Sequence, residues 1–500
     1  MTKSKIHLTL FLFFFSVYAL TGQGSIQSAD GKIMFLLTQA MVENHSVSFS
    51  EMVTLKDTPG PQYSKYGLGM SILAMPFYLF GKLLSFLLGI EVSLSTQFAV
   101  SMINAIFTAL SCLMVFRIAT ERFEFTLRTG LFLALGFGLS TIAWYYSEDF
   151  MSEPAATFFL LSAVYWVTGK NPVTRKWDLV WAGTFLALAV SCRLAALVVI
   201  PGFIFYQWMV WAESAEKNFK ELAMDLIRPA IPVMAVLVLI MIYNYFRFAD
   251  PLETGYEKIS GRFLIGFFGI LFSPGKSLFL FNPLTLFGCL ACMLFLREQR
   301  KTAWLFGWLI VSNLLLFSSW HSWQGGLGWG PRFMLVVLPY LILPIGFLLR
   351  EHKQAVKIPV LLALVAGILI QLPSVTVNAT RYYYEMSREF GSLGHDQILF
   401  SPKYSQLIGQ FKQVAVVFEN LDDELQMAQM VSLAKKGERF LGADISVVLE
   451  NGLAVNAPNF WWYYMRLFGY PFYFWLLPPL ALVGIIAVSG YKLYRETGDP

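Results

Sequence analysis

Asp30, in Ser28-Ala29-Asp30-Gly31, is the first residue of this 500-residue chain placed to do chemistry. A carboxylate just beyond a first apolar helix can deprotonate a hydroxyl that arrives from water. The same residue directly precedes an amphipathic stretch and can equally cap it as a helix N-terminus. Glu148, Asp149 and Glu153 gather with no basic residue beside them. Carboxylates this close to hydrocarbon are costly unless they face a cavity or a partner, so a metal or substrate role stands against a plain solvated turn. Arg247, Arg262 and Lys276 flank a path set by Pro251, Gly255-Tyr256 and Ser273-Pro274-Gly275. Cations on such a path suit a phosphate, or simply snorkel to lipid headgroups. Trp320-His321-Ser322-Trp323-Gln324-Gly325-Gly326 leads to Gly330-Pro331-Arg332. Trp320 and Trp323, with His321 and Tyr256 near them in the outer segments, offer faces to a sugar or acceptor, and Arg332 suits an anion. Interfacial tryptophans are the ordinary alternative. His321 has no second histidine at ligand spacing, which speaks against zinc.

The elements that position these groups are set by composition. With 56% hydrophobic and 14% charged residues and a mean hydropathy of +0.58, the chain is too apolar for a water-soluble protein of this length. Its apolar runs are continuous and helix-length, without the alternation of barrel strands. They predict an all-α polytopic membrane protein of about twelve spans with both termini inside. Seven basic clusters orient it: Lys3/Lys5, Arg117/Arg122/Arg128, Lys170/Arg175/Lys176, Lys217/Lys220/Arg228, Arg297/Arg300/Lys301, Arg350/Lys353/Lys357 and Lys492/Arg495. Placed together on the cytoplasmic side, they leave every candidate site residue on or near the outer face. The net charge of +5 follows from these clusters and gives no reason to invoke nucleic acid.

The expected spans run over about 6–21, 95–116, 129–147, 152–168, 178–192, 194–211, 229–246, 278–296, 302–319, 333–349, 358–376 and 468–490. The organisation is a membrane domain over 1–376, an outer-face segment over 377–467, and a last span with a cytoplasmic tail over 468–500. The first segment also has the form of a signal peptide, but no small-x-small cleavage site precedes Gln23, and a retained helix is expected. The first outer loop, 22–94, carries an amphipathic helix in which Ile33, Leu36, Leu37, Ala40 and Met41 repeat at helical spacing. The apolar stretch 68–88 is expected as an interfacial or re-entrant helix, because letting it span would turn the Arg117–Arg128 cluster outward unless another crossing were added. The polar run of Asp422, Asp423, Glu424, Lys435 and Lys436 suits a small outer cap, and Trp461-Trp462-Tyr463-Tyr464 an aromatic belt. Cys289 and Cys292 have CxxC spacing without a second pair, and easing of helix contact is the expected role.

In the order of its segments the chain resembles the C-type, multi-spanning glycosyltransferases that use polyprenyl-phosphate sugars, among them bacterial protein O-mannosyltransferase and lipid A aminoarabinose transferase relatives. The resemblance covers most of the chain. It rests on the Asp30 loop, Tyr63-Ser64-Lys65-Tyr66-Gly67-Leu68-Gly69 before Pro76-Phe77, and Trp144-Tyr145-Tyr146 before Ser152-Glu153-Pro154. It continues through Asn244 to Tyr256, Ser273-Pro274-Gly275-Lys276 and Trp329-Gly330-Pro331-Arg332.

The resemblance implies transfer of a sugar from a polyprenyl phosphate to an acceptor hydroxyl on the outer face, with inversion. Asp30 matches the family's acidic residue in the first outer loop, its presumed base. The family often pairs Asp with Glu there, whereas this chain has Asp30-Gly31, which leaves a second acidic partner to be sought in Glu153 or Asp149. The donor phosphate is expected at Lys65, Lys276, Arg332 or Arg247. The implied partners are membrane lipid, the lipid-linked sugar and a glycan, lipid or protein acceptor, with metal dependence open between none and a divalent cation. A lipid-linked-sugar flippase and a non-catalytic relative of the fold are the rival readings. The flippase reading predicts polar residues at mid-membrane depth, where Arg193 stands out.

Overall fold

The computed structural model describes residues 3–48, 63–169, 173–214, 218–256, 259–351, 354–390, 396–419 and 457–498. Among these residues every element is helical and there is no strand. Among the described residues, nine helices are long and apolar enough to cross a membrane. The other expected spans fall on shorter or interrupted helices, such as Leu127–Leu139 followed by Ala143–Tyr146, and Ser152–Val167.

Helix α1 (Lys3–Thr21) buries Leu10, Phe14 and Tyr18, spaced four apart along one face. The Tyr18 hydroxyl donates to the Gly138 carbonyl at 2.9 Å, and a Cβ at Gly138 would come within 2.7 Å of the Phe14 ring. Helix α2 (Ala29–Glu43) starts at an N-cap supplied by Ser28, whose hydroxyl accepts the Gly31 N–H at 3.1 Å. Asp30 therefore does not cap α2. It sits in the first turn, where the helix dipole favours a carboxylate.

The apolar stripe of α2 buries Leu36, Leu37 and Ala40 with Leu68 of α3 (Leu68–Leu88) packed beside them, so the amphipathic helix rests on protein. The Ser71 hydroxyl of α3 donates to the Met34 carbonyl at 2.9 Å. Helix α3, expected at the interface, has 21 residues and is one of the nine that meet the length and hydropathy of a span. It ends at Gly89, whose φ of +67° closes a tight hairpin into α4 (Val92–Arg117).

Helices α5 (Leu127–Leu139), α6 (Ala143–Tyr146), α7 (Ser152–Val167), α8 (Arg175–Cys192), α9 (Ile200–Ala212) and α10 (Phe219–Phe248) follow. Between α8 and α9 the backbone is extended at Arg193 (φ −150°, ψ 105°) and then forms a 3₁₀ turn over Leu194–Val199. The chain thus breaks where Arg193 interrupts two apolar runs. Helix α10 exposes Ile231, Met234, Val238, Leu239 and Ile242. Such a face is a liability in water and the required one in lipid.

Ion pairs tie the basic clusters together at one end of the bundle. Arg117 pairs with Glu121 at 3.3 Å, Arg175 and Arg228 both with Asp225 at 2.8 Å, and Lys301 with Glu213 at 2.6 Å. Arg350 pairs with Glu298, and Arg128 bonds the Thr497 carbonyl. Tyr165, near the C-terminus of α7, donates to Glu121 at 2.5 Å. Glu153 begins the same helix, roughly 18 Å away at the helical rise of 1.5 Å per residue.

Of 377–467, the described parts fold back on the membrane helices. Ser405 donates to the Pro274 carbonyl at 2.6 Å, and the Gly275 N–H to the Leu399 carbonyl at 3.1 Å. Asp422, Asp423, Glu424, Lys435 and Lys436 lie outside the described residues. The Trp461 and Trp462 indoles donate to the Ala19 and Leu20 carbonyls at 2.7 and 2.9 Å, which satisfies acceptors that the end of α1 leaves open. Cys289 and Cys292 are exposed free thiols. Gly288 makes the close helix contact instead, with its Cα side against the Leu341 backbone.

Candidate functional site

Four charged side chains from four separate segments meet at the end of the bundle opposite the basic clusters. Arg332 Nη2 lies 2.9 Å from Asp30 Oδ2, and Arg332 Nε 3.2 Å from Glu153 Oε1. Glu153 Oε1 is also 2.5 Å from Arg193 Nη1. Each is locally explained. Arg332 is aimed by Trp329, which is fully buried and donates its indole N–H to Gln371 at 2.9 Å, and by Gly330 at φ +58°. Arg193 sits at the α8–α9 break, its guanidinium 5.0 Å and 5.2 Å from the rings of Phe317 and Phe333. Glu153 lies in the first turn of α7, on the favoured end of the helix dipole.

Asp30 keeps 29% of its side-chain surface exposed. Burial would raise its carboxyl, but Arg332, the neighbouring Tyr66 hydroxyl and Lys65 outweigh burial and hold it below the usual carboxylate range. Gly31 has no room for a second acid: a Cβ there would lie 2.4 Å from the Phe150 carbonyl oxygen. Glu153, reached through Arg332, is the second carboxylate of the cluster.

Lys65 and Arg247 line a small cavity next to this cluster, together with Val190, Leu194, Ile240 and Tyr256. Arg247 fixes the loop that carries Lys65 by donating to the Ser64 carbonyl at 2.5 Å. Gly67 and Gly69 let that loop press on the end of α8, where Cβ atoms would come within 2.8 and 2.5 Å of the Ser191 backbone. Tyr256 stands between the rings of Tyr66 and Trp320, at 6.3 Å from each. Its hydroxyl is pushed up to about 12, chiefly by burial, so it stays a neutral donor. Lys65, Arg193, Arg247 and Arg332 against Asp30, Glu153 and Glu253, whose charge also acts on Arg247, leave the region one positive charge in excess.

Other expected site residues lie elsewhere. Asp149 accepts from the Ser28 N–H at 2.9 Å and the Phe150 N–H at 2.7 Å. It braces the start of α2, and its place beside Asp30 in the sequence argument passes to Glu153. Lys276 is fully buried, with its ammonium bonded to the Gly328 carbonyl and 5.2 Å from the Tyr383 ring. Burial, with Arg332 nearby, drives it well below the usual lysine range, so it holds the loop before Arg332 and is closed to a phosphate here. Trp323 is buried beneath Gly269 and 5.9 Å from the Phe400 ring, which takes it out of reach of a sugar. Trp320 is half-buried beside Tyr256, and His321 is exposed, 5.3 Å from the Trp320 ring. No group of three or more His, Cys, Asp or Glu able to hold a metal ion occurs among the described residues.

With this geometry in place, the chain compares with solved structures as follows. It is similar to ArnT from Cupriavidus metallidurans bound to undecaprenyl phosphate, at 14% identity and a TM-score of 0.49, over 97% of this chain and 78% of that one. It is also similar to the Archaeoglobus fulgidus oligosaccharyltransferase tethered with an acceptor peptide, at 12% identity and a TM-score of 0.45, over 81% of this chain and 60% of that one. AglB from the same organism, in complex with an inhibitory peptide and a dolichol-phosphate, matches at 11% identity and a TM-score of 0.44, over 94% and 60%. These neighbours are C-type glycosyltransferases. No protein-family model and no curated protein matches the chain.

Arg193 and Tyr66 are the members of the site that sequence reasoning left out. Arg193 showed itself as an arginine between two apolar runs, a placement that costs enough to imply a partner. Tyr66 lay inside the Tyr63–Gly69 stretch with nothing in its spacing to mark it.

Proposed function

We propose that this protein is a membrane glycosyltransferase that moves a sugar from a polyprenyl phosphate to an acceptor hydroxyl. The observation that supports this most is the Asp30–Arg332–Glu153–Arg193 cluster, beside which a cavity of only about 20 Å³, one that must widen to admit a ligand, has Lys65 and Arg247 on its polar edge and Val190, Leu194 and Ile240 on its wall. A lipid phosphate needs that combination: cations for the headgroup and an apolar wall for the first isoprene units. In this reading the acceptor oxygen attacks the anomeric carbon as the bond to the phosphate oxygen breaks, and configuration inverts. The phosphate leaves with the electron pair toward Lys65 and Arg247, and the hydroxyl proton passes to Asp30. Tyr256 and Trp320 line the approach for the sugar or acceptor, which is a glycan, a lipid or a protein. No nucleotide site is required, since the donor arrives already activated in the membrane.

In this reading the reaction takes place on the outer face, which is supported by the position of the cluster at the end away from the basic clusters. Cysteine introduced at Val47, with Cys289 and Cys292 replaced by serine, is expected to label in intact cells, and cysteine at Lys301 only after permeabilisation. Outside labelling at 301 would reverse the orientation. For the activity itself, cells lacking the protein are expected to accumulate a polyprenyl-phosphate sugar that mass spectrometry of the lipid extract detects. An unchanged pool of lipid-linked sugars would sink the proposed donor class.

A further inference from the structure

A second cavity, of about 400 Å³, opens where the end of α1 meets the C-terminal helix Leu477–Gly498, and the transfer reading does not use it. Leu476, Leu480 and Val483 form one wall at helical spacing, and Leu20, Trp462 and Trp475 form the others. Both indole N–H groups are already bonded inward, Trp462 to the Leu20 carbonyl at 2.9 Å and Trp475 to the Tyr470 carbonyl at 3.1 Å. The groove therefore offers hydrocarbon surface and no free donor, which a polar ligand would need. Its wall from Leu476 to Val483 is about 10 Å long at the helical rise, the length of part of one acyl chain.

At the same end stands a single cation. Arg466 is exposed, with its guanidinium 5.5 Å from the centre of the Trp475 ring. No acidic residue occurs in the sequence from 457 to 495, and among the described residues no ion pair to the Arg466 guanidinium is found. One guanidinium matches the single charge of a phosphodiester. The free polyprenyl phosphate left after transfer is a monoester with up to two charges, which suits the paired cations Lys65 and Arg247 better. The sugar-bearing donor is itself a singly charged diester and differs from a glycerophospholipid in its single isoprenoid chain.

We infer that this groove is a binding site for an anionic glycerophospholipid, with one acyl chain on the Leu476–Val483 wall and the headgroup phosphate at Arg466. The lipid seals the seam between α1 and the C-terminal helix, and so supports the α1 exit that leads to Asp30.

Native mass spectrometry and thermal unfolding of the full chain in detergent test this, with palmitoyl-oleoyl phosphatidylglycerol and the phosphatidylcholine of the same chains as probes. The wild type is expected to retain one phosphatidylglycerol about fivefold better than phosphatidylcholine, the factor one arginine near an anionic headgroup supplies, and to melt higher with it. Arg466→Gln removes that preference while the acyl chain still binds. Leu480→Trp fills the groove and removes retention of both lipids. Equal retention of the two lipids by the wild type, or an unchanged preference in Arg466→Gln, overturns the assignment. So does stoichiometric displacement of phosphatidylglycerol by undecaprenyl phosphate, which would make the groove a donor site.

Discussion

Asp30→Asn is expected to give a folded, membrane-inserted protein whose sugar transfer falls by at least about 10², the lower end of what a positioned general base contributes. The start of α2 survives the change because Ser28, not Asp30, caps it. The loss of one charge from the Arg332 pair is eased by Glu153, which faces the same guanidinium. Thermal unfolding and a transfer assay on one preparation separate the two effects. Near-wild-type turnover in a folded variant would reduce Asp30 to a partner of Arg332 and make Glu153 the better candidate for the base.

Arg332→Gln should do more damage, because it unpairs Asp30 and leaves Glu153 with Arg193 alone. Breaking a fully buried pair costs about 3–5 kcal/mol, and the partial exposure of Asp30 brings the expected loss to about 1–3 kcal/mol. The change also has a signature in pH. In the wild type the Asp30 carboxyl sits below its unfolded value, so its ion pair adds stability above the unfolded pKa and loses it as pH falls through the folded one. The acid limb of the transfer rate follows the same group. Without the guanidinium, burial pushes the carboxyl up, and the acid limb is expected to move to higher pH. A limb that stays in place while activity falls would show that Arg332 acts through the fold and not through Asp30.

The fold was legible where the physics is one-dimensional. Helix-length apolar runs predict helices in lipid whatever their neighbours, and basic residues mark one end of a bundle regardless of packing. The site was legible in part, because Lys65 sits in a loop and Asp30, Arg247 and Arg332 at helix ends, beside glycine, proline and aromatic residues that already signalled a defined path. What failed was anything that depends on the third dimension. Asp149 and Glu153 are four residues apart, yet the turn into α7 sends one to the Ser28 amide and the other to Arg332. Lys276 and Trp323 looked like surface residues of outer loops, and both are buried because 396–406 folds over them. Gly31 read as a departure from the paired acids of the resembling family. The Phe150 carbonyl leaves no space for a side chain there, and the second carboxylate comes from another helix.

The central claim is that this chain consumes a polyprenyl-phosphate sugar. Its most direct test is to incubate the purified protein with the lipid fraction from cells that lack it and to follow polyprenyl phosphates by mass spectrometry. With acceptor-containing membranes present, the wild type is predicted to convert one sugar-bearing polyprenyl phosphate to an equal amount of free polyprenyl phosphate, and Asp30→Asn to do so at least about 10² more slowly. A lipid-linked pool left intact by the wild type, under conditions where the protein is folded, would contradict the account.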